Sequence, residues 1–225
     1  MPRETFLNLP EEKRKRITDT LLRHFAYRPY NEVNLDEIAR DCGIAKGSLY
    51  QYFTNKGEIY LYAVEEAFRR SLTLLTGLDF QKISLFDYCE LSFESSLEFF
   101  LKEEEAYFLL ERAFFYNDSP FKEEILNRYT EKTQKILLDL VVQNQKAGYI
   151  RQDIDAEFIA LYLEAVSLRF KRYLIEKIRK EGKKILEVPR EELKKFQEDI
   201  LRLLNEGMRG SAVPVGSKKE DPSTL

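Results

Sequence analysis

The sequence predicts an all-α protein: an N-terminal three-helix helix-turn-helix domain followed by a larger helical domain, about nine helices in all. Three observations predict it. Helix breakers are scarce, 9 Gly and 7 Pro in 225 residues of which 44% are hydrophobic, a globular composition that leaves long uninterrupted segments. Apolar residues recur at three- and four-residue spacing along most of the chain, the period of one helix face. Between two such periodic stretches, residues 37–60 read EIARDCGIAKGSLYQYFTNKGEIY, a concentration of Gly, Lys and Tyr that an amphipathic structural helix does not need.

The first helix is expected over 10–27. Pro10 suits the first helical position, and Glu11 and Glu12 complement the macrodipole. Ile17, Leu21, Leu22, Phe25 and Ala26 form its apolar stripe. The run Lys13–Arg16 reads as a solvated face that also meets phosphates if DNA lies nearby. A second helix starts at Asn34, with Glu37 three residues on as a capping-box-like pair. It stops near Cys42, because Gly43 accepts the positive φ that ends a helix. A short third helix follows over 45–52. The fourth starts after Asn55, with Glu58 three residues on, and runs to about residue 76. Helices over 83–102 and 106–117 come next. Ser119 and Pro120 open one over 120–147, closed by Gly148. Asp153 or Asp155 opens the eighth, to about residue 181. EGKKILEVP is a loop, and the ninth helix covers 189–206. Residues 208–225, rich in Gly, Pro, Ser and mixed charge, read as a disordered tail. The expected division is 1–54 for the helix-turn-helix domain, 55–207 for the larger helical domain, and 208–225 for the tail.

The second and third helices make a helix-turn-helix around Gly43. Ile44, Leu49 and Phe53 fill its interior, which leaves Lys46, Gly47, Ser48, Tyr50, Gln51 and Tyr52 on the outward face. The second helix of such a pair lies in the major groove. Lys46 and Lys56 neutralise phosphates, Tyr50 and Tyr52 donate to phosphate oxygens, and Ser48 and Gln51 reach base edges. Gly47 lets two backbones approach closely. A plain αα corner also fits this stretch. The density of phosphate-capable groups without an evident stabilising role is what favours DNA.

Composition narrows the classes. The net charge is −3, but residues 1–60 carry ten cations and nine acids, a slight asymmetry of the sign a DNA-facing N-terminus requires. Cys42 and Cys89 lie far apart in helical patterns, which fits a reduced, cytoplasmic protein. No apolar run approaches the roughly 18–20 residues that span a bilayer, and MPRETFLNLPEEKRKR lacks the apolar core of a signal peptide. The chain has one histidine, His24, expected as a partly exposed structural residue. No Ser-His-Asp set, Cys/His metal cluster or phosphate-binding Gly loop can be assembled, so no catalytic residue, metal or cofactor is expected and an enzyme is disfavoured.

From Ile17 to Tyr60 the sequence resembles the TetR family of bacterial transcriptional regulators. The resemblance is carried by Phe25, Tyr30, Val33, Ile38-Ala39, Cys42-Gly43-Ile44, Ala45-Lys46-Gly47-Ser48-Leu49-Tyr50, Tyr52-Phe53, Asn55-Lys56 and Glu58-Ile59. Cys42 stands where alanine is usual, and Ala45 where Ser or Thr often caps the reading helix. The resemblance implies a homodimeric repressor, released from a palindromic operator when a small molecule binds the C-terminal part. By position it implies DNA contacts from Asn34, Lys46, Gly47, Ser48, Tyr50, Gln51, Tyr52 and Lys56. A DNA-binding protein without an effector, architectural or acting in cell division, is the competing reading.

Beyond residue 60 the resemblance reduces to helix layout, so the residues speak alone. Phe158, Leu161, Ala165 and Leu168, then Phe196, Ile200 and Leu203, form seams at helical spacing that suit a four-helix dimer interface. Service to the subunit's own core is the plainer alternative. The middle helices carry a surplus of aromatics. With Arg112 and Arg169 between apolar neighbours, Phe93, Phe100, Tyr107 and Phe114 suggest a cavity for a hydrophobic effector, although each arginine also suits pairing with a glutamate on a neighbouring helix.

Overall fold

The protein is described by a computed structural model over residues 2–73, 83–182 and 188–208. These residues form ten α-helices and no β-strand: α1 (Glu4–Leu7), α2 (Glu11–Tyr27), α3 (Leu35–Asp41), α4 (Lys46–Tyr52), α5 (Lys56–Thr73), α6 (Leu85–Lys102), α7 (Glu104–Phe115), α8 (Lys122–Lys146), α9 (Ala156–Lys180) and α10 (Arg190–Met208). The all-α expectation holds. The count of nine is corrected by α1, a single turn too short to show a period, and a 3-10 turn at Tyr30–Glu32 was likewise not legible. The expected end of the fourth helix at 76, the centre of the 181–189 loop, and the tail beyond Met208 lie outside the described residues.

Side-chain caps set several boundaries. Ser84 Oγ accepts from Asp87 N at 3.1 Å, so α6 starts at Leu85 rather than 83. Ser119 Oγ accepts from Phe121 N, and α8 begins at Lys122, two residues after the expected start. Asp155 Oδ1 accepts from the amides of Glu157 and Phe158 at 2.9 and 3.2 Å. That makes Asp155 the N-cap of α9, whereas Asp153 is taken by an ion pair with Arg151. Gly148 takes φ +77° after α8, as the sequence predicts.

The chain divides into two compact units, Met1–Leu78 with Glu94–Lys132, and Asp79–Phe93 with Thr133–Leu225. In the first, α2 packs against α5 and α7, α3 against α4, and α1 against α4. Its core holds the fully buried Phe6, Ile17, Leu21, Ile38, Leu49 and Phe53. Arg70 of α5 binds Asp19 at 2.6 Å, Glu103 at 2.8 Å and Glu66 at 3.1 Å, tying α5 to α2 and to the start of α7. The second unit is built on Leu85, Leu140, Val141, Ile150, Ile159 and Leu163. Its buried Asn144 is satisfied on both sides: Oδ1 accepts from Leu85 N, and Nδ2 donates to Leu140 O. A buried amide needs this pairing to avoid the cost of lost hydration.

Candidate nucleic-acid interface

α3 is opened by Asn34, whose extended backbone places Oδ1 2.8 Å from Asp36 N. The expected reciprocal bond from Glu37 is absent. Glu37 instead accepts from Arg28, and that guanidinium holds its carboxyl below the usual range. The other end of α3 closes as the sequence predicts. Gly43 takes φ +65°; its N–H donates to Arg40 O, and Ile44 N–H donates to Ala39 O, the bond pair of a left-handed helix cap. The turn throws α4 across α3 with Leu49 and Phe53 fully buried behind it.

Lys46, Gly47, Tyr50 and Gln51 are exposed on α4, and Ser48 is half-buried. Two expectations are corrected. Tyr52 is not on this face: it is 7% exposed, its ring 5.7 Å from that of Phe6. Tyr52 lies three residues after the fully buried Leu49 and shares its inward face of α4. The lysines also have local partners. Lys46 Nζ donates to Asp36 at 2.8 Å, which raises its pKa. Lys56 lies 4.8 Å over the Tyr30 ring and donates to Asn31 O at 3.4 Å; burial lowers its pKa. An ammonium has three donors, so both keep hydrogens for other acceptors. Lys56 starts α5, where Asn55 Oδ1 accepts from Glu58 N and Glu58 accepts from Thr54 N.

Behind Lys56 lies an aromatic cluster the sequence did not disclose. Tyr60 meets Phe25 at 5.1 Å, Tyr30 at 5.3 Å and Phe121 at 6.0 Å, edge-on or tilted. Phe121 belongs to the segment before α8, and sixty residues of sequence hide its contact with Tyr60. Burial raises the Tyr60 pKa despite its hydrogen bond to Ser119. His24 corrects another expectation: it is buried, Nε2 is 2.9 Å from Asp41 Oδ2, and Nδ1 has no partner.

The suggested effector residues fall in both units. Phe100 meets Tyr107 at 4.8 Å and Phe108 at 5.5 Å, both edge-on, and Phe114 meets Tyr129 at 6.3 Å; these belong to the first unit. Phe93 packs on Phe170 at 5.7 Å in the second. Among the described residues, neither arginine pairs with a glutamate of a neighbouring helix. Arg112 binds Asp118 in the α7–α8 connection, and Arg169, 67% exposed at its side chain, lies 3.8 Å from Glu176 on its own helix. Of the seam residues, Phe158, Leu161, Ala165 and Leu203 are exposed, while Phe196 and Ile200 are half-buried. The side chain of Leu168 lies outside the described residues.

Residues 17–63 match the family model described as bacterial regulatory proteins, tetR family. That segment, residues 17–63, carries the TetR-family pattern. The chain is 34% identical over 92 residues to the uncharacterized HTH-type transcriptional regulator YuxN of Bacillus subtilis, covering 39% of the chain and 32% of that protein. It is 35% identical over 60 residues to the biofilm operon icaADBC HTH-type negative transcriptional regulator IcaR of Staphylococcus epidermidis, covering 27% and 32%. The chain thus spans about a third of the length of these curated relatives. A crystal structure of a TetR family transcriptional regulator from Chloroflexus aurantiacus superposes with TM-score 0.72 at 29% identity, covering 93% of this chain and 99% of that one.

Proposed function

We propose that the protein is a DNA-binding transcriptional repressor that acts as a homodimer and leaves a palindromic operator when a small hydrophobic effector binds. The observation that carries this reading is the outward face of α4. Lys46, Gly47, Tyr50 and Gln51 stand exposed on a short helix whose other face is anchored by Leu49 and Phe53. Gln51 and Ser48 read base edges, Lys46, Lys56 and Tyr50 hold phosphates, and Asn34 joins them from the start of α3. The kinship to a regulator named as negative supports repression.

A second copy of this chain is the partner proposed for α9. Phe158, Leu161, Tyr162 and Tyr173 are 61%, 57%, 47% and 49% exposed, and Ala165 continues their stripe at helical spacing. Leu203 of α10 is 66% exposed. Large apolar groups grouped in this way mark an interaction surface. The effector is proposed among the aromatics Phe100, Tyr107 and Phe114 of the first unit. It releases DNA only by binding the non-DNA conformation more tightly, and DNA must weaken its binding by the same factor.

Selection of bound sequences from random DNA tests the reading. Enrichment of a palindrome bound with Kd of about 100 nM or tighter at physiological salt is expected. Failure to enrich any sequence refutes it.

A further inference from the structure

We infer that residues 3–6 are a positioning clamp for the reading helix, and that Thr5 and Phe6 thereby set DNA sequence specificity. The inference rests on the DNA-binding reading above. α4 is intrinsically weak. It has seven residues, a glycine at its second position, and Ala45 as an N-cap with no side-chain hydrogen bond. Helices this short do not persist alone in water, and their last carbonyls lack intrahelical partners. α1 supplies those partners. Thr5 Oγ1 donates to Gln51 O at 2.8 Å, and Arg3 N donates to Tyr52 O at 2.9 Å.

The clamp is itself anchored. Phe6 is fully buried, its ring 5.0 Å from Phe53, 5.2 Å from Tyr62 and 5.7 Å from Tyr52. Arg14 of α2 donates to Leu7 O at 2.6 Å, and Thr18 of α2 shares a 3.0 Å hydrogen bond with the Tyr62 hydroxyl. The end of α4 is therefore fixed to α2 and α5 through α1. Gln51, one of the two residues assigned to base edges, has its own carbonyl held by Thr5. A clamp that fixes this residue acts on base readout, which needs bidentate geometry. It acts little on phosphate contacts from Lys46 and Lys56, which are point charges.

The full-length chain with Thr5→Val, which keeps the shape and removes the hydroxyl, is the test, with Thr5→Ser as the rescue and Phe6→Leu as the second variant. Binding to the selected operator and to unrelated DNA is measured at several salt concentrations. Thr5→Val is expected to weaken operator binding about three- to tenfold, the worth of one ordinary hydrogen bond. Binding to unrelated DNA and its salt slope change less than about twofold, since phosphate contacts supply them. Thr5→Ser restores the ratio. In the absence of DNA, amide exchange over residues 49–53 accelerates in Thr5→Val while α2 and α5 keep their protection. Equal loss on both DNAs, or unchanged exchange over 49–53, overturns the clamp and leaves the DNA-binding reading standing. Absence of any sequence-specific binding by the unmodified chain overturns that reading, and the role in specificity with it.

Discussion

Replacing Gly57 with alanine is expected to destabilise the first unit by about 1–2 kcal/mol, although alanine is the better helix former. The helix-propensity gain reaches about 1 kcal/mol in a helix interior, and less at Gly57, the second residue of α5. Against it stands a steric collision. A Cβ at Gly57 would come closer than 3.0 Å to Phe121 Cζ, and to within 3.2 Å of Phe121 Cε2 and Asn55 Oδ1. The ring has little freedom to yield, because it meets Tyr30 at 5.6 Å and Tyr60 at 6.0 Å. Overpacking of this kind costs about 1–3 kcal/mol. Thermal unfolding would show a drop of about 2–8 °C, at about 2–4 °C per kcal/mol for a chain of this size. A double-mutant cycle with Phe121→Ala isolates the cause. With the ring removed, Gly57→Ala becomes neutral or stabilising, and the coupling is about 1–3 kcal/mol. Wild-type stability in Gly57→Ala, or an equal penalty in both backgrounds, refutes the reasoning.

Lys46→Ala and Lys56→Ala are each expected to reduce the slope of log K against log salt by about 0.9 on every DNA sequence; an unchanged slope removes that lysine from the interface. Leu161→Glu places a charge on the exposed face of α9 and is expected to convert a dimer into a folded monomer in sedimentation equilibrium, whereas an unmodified chain that is monomeric at micromolar concentration refutes the seam. The Asp41 carboxyl is held below its ordinary value of about 4 by the hydrogen bond from His24. A depressed folded value stabilises the protein above the unfolded pKa, and that contribution is lost as pH falls through the folded one. Urea midpoints from pH 6 to pH 3 are therefore expected to fall less steeply in Asp41→Asn than in the wild type; parallel curves exclude the pair as a source of acid sensitivity.

The sequence by itself determined the longer helices and the turn, because those are local effects. Gly43 is the residue that tolerates φ +65°, and the 3–4 spacing of Leu35, Ile38 and Ala39 decides which face of α3 turns inward. Asn34 and Asn55 announce helix starts because a cap bonds to an amide two or three residues away, whereas the choice of Asp155 over Asp153 came from the structure. Only the tertiary structure decided what those elements touch. Tyr52 reads as an outward residue until α1 brings Phe6 beneath it. Lys56 reads as a free cation until the Tyr30 ring lies under it, and His24 as partly exposed until Asp41 closes over it. Phe121 reaches Gly57 and Tyr60 across more than sixty residues of intervening chain. Each of these depends on which distant side chain fills a given space, and a one-dimensional pattern of apolar and polar residues carries no such distances.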